Sequence, residues 1–121
     1  YWKPGHYNKG LFFKGWHPPH PSFFVKKKLF GNYGYYTINN GNSADVELMF
    51  RFLDTHSLKS KYLNKTLVKM RYGGASNKDI LSIIKQNIQI MIFLKIHRNA
   101  YKISIFILYK ILDRLKQFVF K

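Results

Sequence analysis

All four prolines of this 121-residue chain, and three of its eight glycines, fall between Pro4 and Pro21, and no other feature limits the fold as much. Proline fixes φ and removes a backbone donor, while glycine weakens any helix or strand it enters. Pro4, Gly5, Gly10, Gly15, Pro18, Pro19 and Pro21 therefore break both periodicities, and residues 1–21 read as a loop-rich segment that must pack on the rest of the chain. No disulfide can hold it there, because the chain has no cysteine; thiolate metal sites and cysteine nucleophiles are excluded with it, and a reducing compartment suits such a chain. An apolar content of 46% and an aromatic content of 18% are enough for one packed unit.

Beyond the prolines the pattern becomes regular. Ser22 to Lys28, with Phe23, Phe24 and Val25 in sequence, predicts a short buried strand, and Lys28 to Tyr33 a single helical turn closed by Gly34. Turn residues Asn39, Asn40, Gly41 and Asn42 precede Val46, Leu48, Met49, Phe50, Phe52 and Leu53, which predict a helix from about Ala44 to His56 capped by Asn42 or Ser43. Tyr62 to Tyr72 reads as extended chain or short strands ending at Gly73 and Gly74. Ser76 and Asp79 resemble a capping box ahead of Ile80, Ile83, Ile84, Ile88, Met91 and Ile92, a long helix reaching about His97. Tyr101 to Phe120 reads as a second basic amphipathic helix, too often interrupted by cations to cross a bilayer. The fold class expected is α/β: short strands, a central helix and two long carboxyl-terminal amphipathic helices.

The formal net charge is +16, from 21 Lys and Arg against Asp45, Glu47, Asp54, Asp79 and Asp113. Such a field attracts phosphate-bearing partners: nucleic acid, anionic lipid or a sugar nucleotide. A coding bias toward Lys, Asn, Ile, Phe and Tyr explains the charge equally well. Position is more informative than amount. Residues 1–44 carry no acid, and four of the five carboxylates lie between Asp45 and Asp79, which is where acid or base chemistry belongs.

The runs Gly15-Trp16-His17-Pro18-Pro19-His20-Pro21-Ser22-Phe23-Phe24-Val25-Lys26-Lys27, Tyr33-Gly34, Ala44-Asp45-Val46-Glu47-Leu48-Met49-Phe50-Arg51-Phe52-Leu53 and Leu67-Val68-Lys69-Met70-Arg71-Tyr72-Gly73-Gly74-Ala75-Ser76 occur in that order. Together they resemble bacterial family 2 glycosyltransferases of surface-polysaccharide synthesis, from about Tyr1 to Ile96. The resemblance implies the carboxyl-terminal, acceptor-side part of a GT-A type fold. In that fold an amino-terminal half supplies a Rossmann-like sheet and an Asp-x-Asp motif holding Mg or Mn and the donor diphosphate. This chain contains no Asp-x-Asp. It is therefore expected to be a single partial domain over 1–121, with an acceptor-side segment at 1–76 and basic helices at 77–121. It holds no cofactor of its own and is inactive without a donor-binding half. Tyr1 in place of Met, with no secretory leader, fits an interrupted start and a cytoplasmic protein, peripheral at the inner face of the cell membrane.

Inverting transfer needs a carboxylate within hydrogen-bond reach of the acceptor hydroxyl. Asp45 matches the acid that the resemblance places at the start of the acceptor helix, although Ala44 stands where the family often has Glu. A helix start would hold that carboxylate rigidly, and it is equally a common dipole partner. Glu47 is the second acid, with a rival role as the i+4 partner of Arg51. His17 and His20 flank the stiff Pro18-Pro19 pair and can point donors at substrate; two His without Cys or a third ligand do not make a zinc site. Arg71 is placed to neutralise the diphosphate leaving group. The partners implied are a nucleotide-sugar donor, a saccharide or lipid-linked acceptor and an anionic membrane surface. The alternative is a non-catalytic module that binds nucleic acid or membrane. Nucleic acid is disfavoured because the basic residues follow no reading motif.

Overall fold

The computed structural model describes residues 3–70 and 79–119. Every regular element among them is helical. Two 3-10 turns, Leu11–Lys14 and His20–Ser22, precede helix α1 (Lys27–Tyr33). A 3-10 stretch, Ile38–Ser43, leads into helix α2 (Ala44–Phe50), which continues as a π-helical turn, Arg51–Thr55. Helices α3 (Ile80–Phe93) and α4 (Ala100–Val119) complete the order.

The α/β expectation, with the GT-A-type arrangement it implied, is overturned, because no strand and no sheet forms among the described residues. An apolar triplet becomes a strand only when a neighbouring segment pairs its backbone. Here Ser22 closes a 3-10 turn, Phe23 packs on the core, Phe24 is 76% exposed and α1 starts at Lys27. Leu63, Leu67, Val68 and Met70 likewise lie exposed and outside any ladder. The Gly73-Gly74 turn, Ser76 and Arg71 lie outside the described residues.

Helix α2 forms the centre. Its apolar spacing buries Val46, Leu48 and Met49, and the π turn adds Phe52 and Leu53. Val46, Met49 and Leu53 join Phe12, Ile90, Leu94, Ile96 and Phe106 in one core, so the proline-rich segment, α2, α3 and α4 all meet there. Each fully buried aliphatic or phenyl group contributes roughly 1.5–3 kcal/mol, which secures an arrangement that has no disulfide. Ser43, one of the two expected caps, occupies the N-cap position of α2, but its side chain makes no capping bond. Its hydroxyl is fully buried, 2.9 Å from the Asn40 carbonyl and 3.0 Å from Gln89 Oε1, tying the start of α2 to α3.

Helix α3 is capped by Asp79 itself, whose Oδ1 accepts the Ser82 N–H at 2.6 Å; the acid expected three places into a capping box is the cap. The helix stops at Phe93, ahead of His97, because Lys95 turns to a φ of 58° and Ile96 drops into the core. Of the stripe its spacing suggested, Met91 packs against the core and Ile83 is half-buried, but the rest does not turn inward. Ile90 and Leu94 are buried, whereas Ile80, Ile84, Ile88 and Ile92 face outward.

Candidate functional site

The site is built on the proline loop. Trp16 anchors one end: its indole Nε1 donates to the Pro4 carbonyl at 2.7 Å, and its ring meets Phe12 edge-on at 5.5 Å between centroids. Pro19, extended at φ −61° and ψ 121°, fixes the other end, and the Ser22 hydroxyl closes the turn on the Pro19 carbonyl at 3.0 Å. A loop held at both ends has few conformations left to its side chains. It carries His20 to the first turn of α2, where Nδ1 lies 3.2 Å from Oδ2 of Asp45. The other oxygen, Oδ1, accepts the Val46 N–H at 2.8 Å. The Asp45 side chain is 27% exposed and that of His20 60%, so an acceptor hydroxyl can reach both. Neither His20 nor Asp45 lines the polar cleft formed by Gly41, Asn42, Ser82, Lys85, Gln86 and Gln89, which lies between the Ile38–Ser43 stretch and α3.

His17, three residues earlier, turns the opposite way. Its Nδ1 lies 3.2 Å from the Pro18 carbonyl and its Nε2 lies 3.5 Å from Lys110 Nζ on α4. An imidazole that donates from Nδ1 and offers a lone pair at Nε2 is neutral. Burial pushes its pKa down to about 3, with the Lys110 charge adding to the effect. Burial, reinforced by Arg114 and partly opposed by Asp113, brings Lys110 down to about 8. Gly15 makes this approach feasible: at φ 74°, a Cβ there would stand 2.6 Å from the Lys110 Cγ. The structure thus pairs His20 with Asp45 and sets His17 against α4.

This environment predicts a pH effect with a definite sign. The folded-state pKa of His17 lies below its unfolded value, so its contribution to stability is present above pH 6.5 and is lost as pH falls toward 3. Between pH 7 and pH 5 the loss amounts to about 2 kcal/mol. Urea unfolding at the two pH values checks this. His17→Asn, which keeps a donor but cannot titrate, should flatten the dependence by that amount, and an unchanged dependence would show that His17 binds its proton equally well in the folded and unfolded states.

Glu47 takes the structural role its spacing allowed. Oε1 accepts from Arg51 Nε at 2.9 Å, Oε2 from Arg51 Nη2 at 3.4 Å and from the Thr37 hydroxyl at 3.2 Å. Arg51 also donates to the carbonyls of Tyr33 and Tyr35, holding the end of α1 against α2. Gly34 leaves room for that guanidinium, since a Cβ there would be 2.9 Å from Nη1.

Two residues that organise the site were not foreseeable from sequence as such: Lys110, whose spacing marks it only as part of a helix stripe, and Asp54. Asp54 is 8% exposed and accepts from the Tyr7 hydroxyl and the Gly10 N–H, each at 2.8 Å. These bonds clamp the proline-rich segment to the far end of the α2 helix. Only an acid at the edge of an apolar helix hinted at this, and nothing pointed to its partners.

The metal implied by the resemblance finds no cradle in these residues. The site offers one carboxylate and one imidazole, and among the described residues no group of three or more His, Cys, Asp or Glu side chains could hold an ion. No helix among them is long and apolar enough to cross a membrane. No protein-family model, no curated protein and no solved structure matches the chain.

Proposed function

We propose that this chain supplies the acceptor side of a sugar-nucleotide glycosyltransferase, with Asp45 as the general base of an inverting transfer. The observation that carries the reading is the partly exposed Asp45–His20 pair, held between a proline-stiffened loop and the first turn of α2. Asp45 Oδ2 takes the proton of an acceptor hydroxyl as that oxygen forms its bond to the anomeric carbon. The bond from that carbon to the diphosphate breaks, and the nucleoside diphosphate leaves with the electron pair. His20 positions the carboxylate through Nδ1, while the Val46 N–H holds the second oxygen away from the reacting side.

The polar cleft between the Ile38–Ser43 stretch and α3 has groups that suit a saccharide or the sugar of a lipid-linked acceptor. Asn42, Gln86 and Gln89 offer amide donors and acceptors, Ser82 a hydroxyl and Lys85 a cation. The donor and any divalent metal are assigned to a separate donor-binding half, and Arg71 of this chain is assigned to help neutralise the diphosphate leaving group. This chemistry requires no sheet from the present residues.

The test is transfer from labelled sugar nucleotides to a saccharide panel, by the chain alone and with a candidate donor-binding polypeptide. Product is expected only from the combination. Robust transfer by the chain alone would overturn the division of labour, and failure of every combination would count against the reading itself.

A further inference from the structure

Helix α4 carries apolar residues on two sides, one packed on the core and one exposed. Its inner side is fixed by Phe106, which is 1% exposed, and by the half-buried Ile103, Lys110 and Asp113, against the Leu11–Lys14 turn. At 3.6 residues per turn, Tyr101, Leu108, Leu112 and Leu115 share the opposite side. They are 75%, 55%, 41% and 55% exposed, and Ile107 and Ile111, at 46% and 53%, widen the band. The intramolecular partner normally expected for such a face is therefore absent among the described residues, because the core has taken the other side of the helix.

We propose that α4 docks this face into the interface of an anionic phospholipid bilayer, lying parallel to the surface. Charge selects that occupant. From Ile80 to Val119 the sequence holds seven Lys and Arg against the single acid Asp113, and Lys102, Arg114 and Lys116 border the apolar band. A basic polar face around an apolar one is the pattern of interfacial helices, attracted by anionic headgroups and retained by buried apolar area. A second copy fits worse. Two chains of formal charge +16 repel, and a self-paired helix would bring the bordering cations of one copy toward those of the other. The band, widened by Ile107 and Ile111, also exceeds the narrow stripe of a two-helix seam.

The experiment is co-sedimentation of the whole chain with phosphatidylcholine vesicles, with and without phosphatidylglycerol. The double variant Leu108→Asp, Leu112→Asp is tested in parallel. Both sites are exposed, so the variant should fold, and a thermal melt verifies this. Wild type is expected to bind the phosphatidylglycerol vesicles at least about tenfold more tightly than the neutral ones, and the double variant to lose at least about tenfold. Asp45→Asn should bind like wild type, which keeps the outcome separate from the transfer reading. Three results would overturn the proposal: no binding to anionic vesicles, equal binding by the double variant, or a dimer abolished by the double variant with no vesicle binding. The second would assign attraction to charge alone, and the third would assign the face to another copy.

Discussion

Replacing Asp45 by Asn should slow sugar transfer by about two to four orders of magnitude while leaving the fold in place. Asn keeps the shape and can still accept the Val46 N–H, but it cannot take a proton at neutral pH. The structural cost is small, because the contact between Asp45 and His20 is partly exposed and worth at most about 1 kcal/mol. His20→Gln should cost less, about tenfold, since it removes a positioning group and leaves the base. Transfer rates for the two variants, with thermal melts as control, separate the roles. An equal loss in both would make the imidazole the base and Asp45 its orienting partner.

The second large effect falls on stability. Asp54→Ala strips the acceptor from the Tyr7 hydroxyl and the Gly10 N–H, both of which meet the carboxylate at 2.8 Å. Hydrogen bonds to a charged group contribute about 1.5–3 kcal/mol each, so a loss of about 3–5 kcal/mol is expected. Asp54→Asn retains one carbonyl acceptor and should lose roughly half as much. Chemical denaturation of the three proteins checks the order. Because these bonds hold down the segment that carries His20, the alanine variant should also lose transfer at temperatures where it is still mostly folded. An alanine variant as stable as wild type would show that the proline-rich segment is held by its aromatic packing alone.

The sequence revealed the helices better than their faces. Apolar spacing set α2, α3 and α4 within a few residues of where they lie, because a helix of period 3.6 needs no distant partner to define it. The strand at Phe23 to Val25 failed for the opposite reason: a run of three apolar residues is ambiguous by periodicity, and a strand depends on a neighbour that the run cannot announce. On α3, isoleucines occur around much of the circumference, so spacing alone could not choose between Ile90 and Ile88 as the buried side. The site was half legible. Asp45 and His20 each stand out in the sequence, yet their meeting depends on a tertiary approach of the proline loop to α2. The clamp made by Asp54 is not legible in the sequence, because Tyr7 and Gly10 lie more than 40 positions away in the chain.

Everything proposed about chemistry depends on Asp45 acting as a base in a single displacement rather than as a surface partner of His20. The most direct measurement is the anomeric configuration of the new glycosidic bond in the first product formed with a donor-binding half, read by proton NMR before further transfer. An α-linked donor should give a β-linked product, and Asp45→Asn should give no measurable burst of it. An α-linked product formed at the same rate by wild type and Asp45→Asn would contradict the account.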